Sequence, residues 1–180
     1  EPPTVILTDI QPNQTAATEL ERLPGVTYLR EPVSALEIPP RLEGVRTIFT
    51  GLHHFDEEEV RSILRAAQEA RIPFLAAEAT HRSVRGILTT LFVPLLVLGL
   101  MPRVRPRRAL PLLLTYLPPI MPLLILWDGF ASTMRTYRAE ELRSFIRDIE
   151  VPGYSWRVEE RPVPGAPIPV TLVVGRPVES

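Results

Sequence analysis

The sequence predicts an α/β fold built on a Rossmann-like, mostly parallel sheet. Three observations carry that expectation. Over residues 4–80, short apolar runs rich in β-branched residues alternate with helical stretches, the pattern of βαβ units. Polar residues recur just beyond the strand-like runs, at Asp9, Glu31 to Ser34, His53-His54 and Glu78, at the sheet edge where ligands bind in such folds. Two further strand-like runs close the chain around a Pro/Gly turn, as an antiparallel hairpin does.

Each element has a local reason. Val5–Leu7 is a short apolar strand that stops at Thr8-Asp9, and QTAATELERL is a helical stretch ended by Leu23-Pro24-Gly25. Val26–Leu29 is a second strand, followed by the Pro-rich loop EPVSALEIPP. Val45–Thr50 is a third. Asp56 suits a helix N-cap, and Glu57–Glu59 suit the positive end of the helix that follows. That helix shows Val60, Ile63, Leu64 and Ala67 on one face and breaks at Ile72-Pro73. Phe74–Ala77 is a fourth strand, ending at Glu78. TMRTYRAEELRSFIRDI is helical, and Tyr154–Glu160 and Pro169–Val174 are the terminal hairpin at the sheet edge. One domain over 1–180 is expected, with 81–135 as a helical insertion or cap.

Composition narrows the chemistry. All 20 cationic residues are arginine, so lysine Schiff-base and P-loop lysine chemistry is excluded within the chain. There is no cysteine, hence no disulfide and no thiolate site. The net charge is −1 and no aromatic stacking platform accompanies the arginines, which points away from nucleic acid. No protein partner is readable. EPPTVILTDI lacks the basic and long apolar regions of a signal peptide, so a cytoplasmic setting is expected.

The segment 87–127 stands apart. ILTTLFVPLLVLGLM and ALPLLLTYLPPIMPLLILW are nearly all apolar and bracket an arginine cluster at 103–108. A spanning helix needs roughly 20 apolar residues. The first run is shorter and holds Pro94, and the second holds Pro111, Pro118, Pro119 and Pro122. Two readings stand: a buried helical cap over the crevice, and a shallow hairpin with a basic tip making peripheral contact with a membrane. Both imply an apolar small-molecule or lipid-like substrate.

The stretches LTDIQPN, EPVSA, FTGLHHF and WDG…S…RTY, in this order, resemble the class I S-adenosylmethionine-dependent methyltransferases from their second strand onward, and within them an uncharacterised bacterial subgroup. The resemblance covers residues 4–80 well and 135–176 in outline. It implies S-adenosylmethionine as cofactor and methyl transfer to an apolar acceptor. Asp9, with Ile10 beside it, matches the acidic position that holds the ribose diol. Val33, Ser34 and Ala35 match the adenine neighbourhood, with Ser34 standing where the family usually has Asp. Gly51, Leu52 and His53 match the stretch beside the methionine part, and His53 is a candidate general base. Glu78, Trp127, Asp128 and Tyr137 are candidates for the acceptor pocket, with Asp128 and Arg135 an expected ion pair. The family's Gly-rich loop and first strand have no counterpart here, and no G-x-G occurs. The chain therefore reads as a piece of a longer protein that would bind the cofactor weakly by itself, with a gap or a direct pairing where the central strand belongs.

Other readings remain open beside the resemblance. Asp9 is also a helix N-cap candidate, and Glu78 also a cap for the segment after it. His53, His54 and Glu78 would be the ligands of a metal-dependent hydrolase, although adjacent strand side chains point apart and no metal site is expected. A non-enzymatic, membrane-peripheral protein on a degenerate methyltransferase scaffold is the alternative function.

Overall fold

The computed structural model describes residues 4–105 and 108–178, which fall into two compact units, Glu1–Gly44 and Val45–Ser180. The first unit is one βαβ crossover. Strands β1 (Val5–Leu7) and β2 (Val26–Tyr28) run parallel with Val5 opposite Val26, joined by helix α1 (Gln14–Leu20). Asn13 caps α1, its side chain accepting from the Thr15 and Ala16 amides at 3.0 Å each.

The second unit holds a four-stranded mixed sheet. Strand β3 (Arg46–Phe49) is parallel to β4 (Phe74–Glu78), and helix α2 (Glu57–Glu69) is the crossover between them. Strands β5 (Tyr154–Arg161) and β6 (Val170–Pro177) form the expected antiparallel hairpin. β6 pairs with β4, and β5 is the edge strand.

The core of this unit follows from periodicity. Asp56 caps α2 in a reciprocal box with Glu59, each side chain bonding the other's backbone amide at 2.9 Å. Val60, Ile63, Leu64 and Ala67 are buried, as the helical spacing predicts. Helix α6 (Ala139–Arg147) buries Ala139, Leu142, Phe145 and Ile146. The predicted helix over 133–149 is thus two elements, since Arg135 ends one helix and Ala139 begins the next. Gln68 is buried and links α2 to β5: its amide donates to the Ile149 carbonyl (2.7 Å), and its oxygen accepts from the Trp156 indole (3.0 Å).

Between β4 and α6 the chain forms helices α3 (Val84–Leu100), α4 (Ala109–Tyr116) and α5 (Ile120–Arg135). Pro94 lies inside α3 without ending it. Val84–Arg103 is long and apolar enough to cross a membrane by length and composition, while α4 and α5 are bent 78° from each other.

Candidate functional site

Residues after the carboxyl ends of β3 and β4 converge in the second unit. Strand parity sets the first of them. Phe74, Ala76 and Glu78 alternate onto the buried face of β4. The Glu78 carboxylate is therefore turned inward, and it is 2 % exposed. Thr50, just past β3, takes a left-handed backbone conformation (φ 48°). A β-branched residue pays strain there, and the turn aims the next two amides at Glu78. Gly51 and Leu52 donate to Glu78 Oε1 at 2.8 and 2.6 Å. His53, in the middle of the short helical turn Leu52–His54, faces the same carboxylate, with Nδ1 2.9 Å from Oε2.

Burial by itself would push the Glu78 carboxyl up. The hydrogen bonds from His53 and the Leu52 amide, the charge of His53, and the Gly51 amide outweigh it and hold the group below its ordinary value of 4.5. An ionised carboxylate is an acceptor only, so His53 Nδ1 must be the donor. Whenever the ring is neutral, Nε2 carries its lone pair. Nε2 has no hydrogen-bond partner among the described residues, and the residue is 3 % exposed. The result is a nearly buried imidazole, oriented and tautomer-locked by a buried carboxylate. That arrangement suits a general base.

The surroundings tie this pair to the helices. Thr80 Oγ1 lies 2.6 Å from Thr136 Oγ1 and donates to Glu78 Oε2 at 3.4 Å. Tyr137 donates to the Phe55 carbonyl at 2.8 Å and meets Phe145 edge-on. Burial, then the charges of Glu57 and Asp56, raise the Tyr137 pKa. The exposed His54 ring lies against that of His53, centroids 4.3 Å apart. No group of three His, Cys, Asp or Glu side chains is arranged to hold a metal ion among the described residues.

Of the predicted residues, Gly51, Leu52, His53 and Glu78 come together, and Tyr137 joins them through Phe55. Trp127 and Asp128 do not. They are exposed on α5, roughly 12 Å or more along the helix from Thr136. The expected Asp128–Arg135 ion pair does not form. The two residues share one helix two turns apart, about 10 Å along its axis and beyond contact. Thr80 was not read from the sequence, and Thr136 only as a member of the RTY stretch, because nothing local marks a hydroxyl that is brought to a carboxylate by a chain reversal.

In the first unit, Asp9 follows β1 and Val33–Ala35 follow the neighbouring strand β2. Asp9 is exposed; Oδ1 accepts from the Gln11 amide at 2.7 Å, and its backbone carbonyl accepts from the Val33 amide at 2.9 Å. That Asx turn leaves Oδ2 without a protein donor among the described residues. Asn13, not Asp9, caps α1. Ile10 is 61 % exposed and Val33 is buried. Ser34 Oγ accepts from the Leu36 amide at 3.2 Å.

No family model matches the chain, and no curated protein does. Solved structures do match. LepI in complex with SAM is 14 % identical, with a TM-score of 0.51, over 99 % of this chain and 37 % of that one. A structure described as a pericyclic reaction enzyme matches over the same shares, at 14 % identity and a TM-score of 0.50. LepI with SAH and a substrate analogue gives 14 % and 0.51. The chain thus spans little more than a third of these proteins. At this identity the likeness speaks to the fold, which is the Rossmann-like α/β fold found in these SAM- and SAH-bound proteins.

Proposed function

We propose that the protein takes part in S-adenosylmethionine-dependent methyl transfer to an apolar small-molecule or lipid-like acceptor, in the cytoplasm, with His53 as the general base. The observation that carries this reading is the Glu78-held His53 at the carboxyl ends of two parallel strands, on a fold shared with SAM-bound proteins. The cofactor reading has its own support in the first unit. Asp9 offers a carboxylate oxygen free of protein donors, which suits a pair of adjacent hydroxyls, and it follows β1 beside the turn Val33–Ala35. Ser34 would serve there through its hydroxyl or backbone in place of a carboxylate.

When bound, S-adenosylmethionine supplies an electrophilic methyl group on a sulfonium. The residues of this chain then have separable tasks. In the first unit, Asp9 would hold the ribose hydroxyls. Gly51, without a side chain, lets the backbone approach closely; a Cβ there would stand 3.0 Å from Ile48 Cγ2. Glu78 fixes the imidazole and stabilises its protonated form. His53 Nε2 would take up the proton that the acceptor hydroxyl, amine or carbon acid gives up on methylation. Alignment supplies much of the rate in such a displacement, so loss of the base slows the reaction without abolishing it.

Calorimetric titration of the full-length gene product with S-adenosylmethionine tests the cofactor. Binding that weakens tenfold or more in Asp9→Ala is expected, and no heat of binding would overturn the reading. Incubation with radiolabelled S-adenosylmethionine and a lipid extract tests the acceptor class. Label is expected in the organic phase, and label confined to water-soluble products would remove the apolar acceptor.

A further inference from the structure

Helices α3, α4 and α5 carry their polarity inside out. Their buried residues are Gly86 and Thr90, Thr115, and Pro122 and Thr133. Their outward residues are large and apolar. Leu88, Leu91, Phe92, Leu95 and Leu96 form one stripe on α3, each at least half exposed, and Leu123, Leu124 and Trp127 form another on α5. A helix facing water shows the reverse. Hydroxyls and a glycine lie in the contact between α3 and α5. Thr90 Oγ1 lies 3.1 Å from Thr133 Oγ1, and a Cβ on Gly129 would stand 3.2 Å from the Thr90 methyl. Helices pack this way where the medium around them is itself apolar.

Charge selects the medium. Residues 79–127 contain six arginines and not one Asp or Glu, whereas the rest of the chain holds 14 arginines against 21 acids. Arg85 stands at one end of the apolar stripe and Arg103, Arg105 and Arg108 at the other, all exposed. A groove of about 480 Å³ runs along the stripe, lined by Leu88, Phe92, Leu96 and Pro167 with Arg85 at its margin. A second copy of the chain docked on the same face would bring arginine against arginine, with Asp128 the one acid on α3, α4 and α5 to pair them. Anionic headgroups pair with all of them while acyl chains cover the stripe. A crossing orientation would drag the arginines of the turn through hydrocarbon, and the 78° bend between α4 and α5 interrupts the second span.

We propose that α3 and α5 form an in-plane docking surface for an anionic lipid bilayer, with the apolar stripe among the acyl chains and the arginines at both ends on the phosphates. The proposal stands apart from the methyl-transfer reading and is tested without cofactor. Flotation with vesicles of phosphatidylcholine mixed with phosphatidylglycerol recovers the chain, with weaker recovery on phosphatidylcholine alone and in high salt. Replacing Arg103, Arg105 and Arg108 by Ser lowers partitioning about 10- to 100-fold. Phe92→Ser with Leu95→Ser and Leu96→Ser abolishes flotation while the circular dichroism spectrum stays unchanged, since all three side chains are exposed. Brominated lipid quenches tryptophan fluorescence, and Trp127→Phe removes that quenching although Trp156 remains. Absence of flotation on both vesicle types overturns the proposal, as does flotation indifferent to the apolar substitutions. So does a stable dimer in which Trp127 is shielded from brominated lipid.

Discussion

Replacing Glu78 by Gln keeps the shape of the side chain and removes its charge. In the native protein the carboxylate accepts from the Gly51 amide, the Leu52 amide and His53 Nδ1, all at 2.9 Å or less, in a position 2 % exposed. The Gln oxygen can keep the two backbone donors. Its amide nitrogen then faces His53, where a donor would meet a donor, so the imidazole must change tautomer and present a bare Nδ1. Nε2 then carries the proton and cannot act as a base. A hydrogen bond to a charged acceptor is worth about 1 kcal/mol more than one to a neutral acceptor, so the two backbone bonds together lose about 2 kcal/mol. Relief from burying a charge offsets part of this. Urea unfolding should therefore show Glu78→Gln less stable by about 1–2 kcal/mol. Nitrogen-15 NMR of the His53 ring should show the proton on Nδ1 in the native protein and on Nε2 in the variant. Under the methyl-transfer reading, turnover falls by about 10²–10⁴, the usual worth of a general base. An unchanged tautomer, or a variant as stable as the native protein, would refute the reasoning.

Other expectations follow from the same contacts. The Glu78 carboxyl is held below its ordinary 4.5, so the stability it adds is complete above that value and is lost as pH falls through the lower folded value; acid unfolding should be steeper in the native protein than in Glu78→Gln. Burial pushes the Tyr154 hydroxyl up to about 12, and it donates to the Ile72 carbonyl at 2.7 Å. Because the folded state holds that proton more tightly than the unfolded chain, stability should fall between about pH 10 and 12, and Tyr154→Phe should flatten that limb of a pH-dependent urea series. Gln68→Ala leaves the Ile149 carbonyl and the Trp156 indole without partners, at a cost of about 2–4 kcal/mol in urea unfolding. Thr50→Gly removes a left-handed β-branched residue and should raise stability by about 1 kcal/mol, less what the glycine adds to unfolded-state freedom.

The parts of this molecule that were legible in sequence are those with local causes. The capping box of α2 is written in DEEE, its buried face in the spacing of Val60, Ile63, Leu64 and Ala67, and the alternation of β3, α2 and β4 in short runs bounded by turn residues. The inward turn of Glu78 was also latent there, since it shares parity with Phe74 and Ala76. Its partner was not, because 25 residues and a crossover separate it from His53. Thr80 had no sequence signature, and Thr136, 56 positions away, was visible only as part of the RTY stretch and not as its partner. The apolar segment was legible as apolar but not as three helices: Pro94 fits within α3, whereas the break that matters falls between Tyr116 and Ile120. The Asp128–Arg135 pairing failed for a simple geometric reason, as a seven-residue interval aligns two side chains on a helix without letting them touch.

Among the described residues up to Gly44, the buried apolar side chains are Ala17 and Val33, and the ladder between β1 and β2 is three residues long on each side. So small an interior gives this segment little resistance to opening by itself, and its amide protons should exchange well before those of β4 and β6. A ligand gripping Asp9 and the Val33–Ala35 turn would then spend part of its affinity on ordering the segment, and slowed exchange at Leu7, Val33 and neighbouring amides would be the earliest sign that it had arrived.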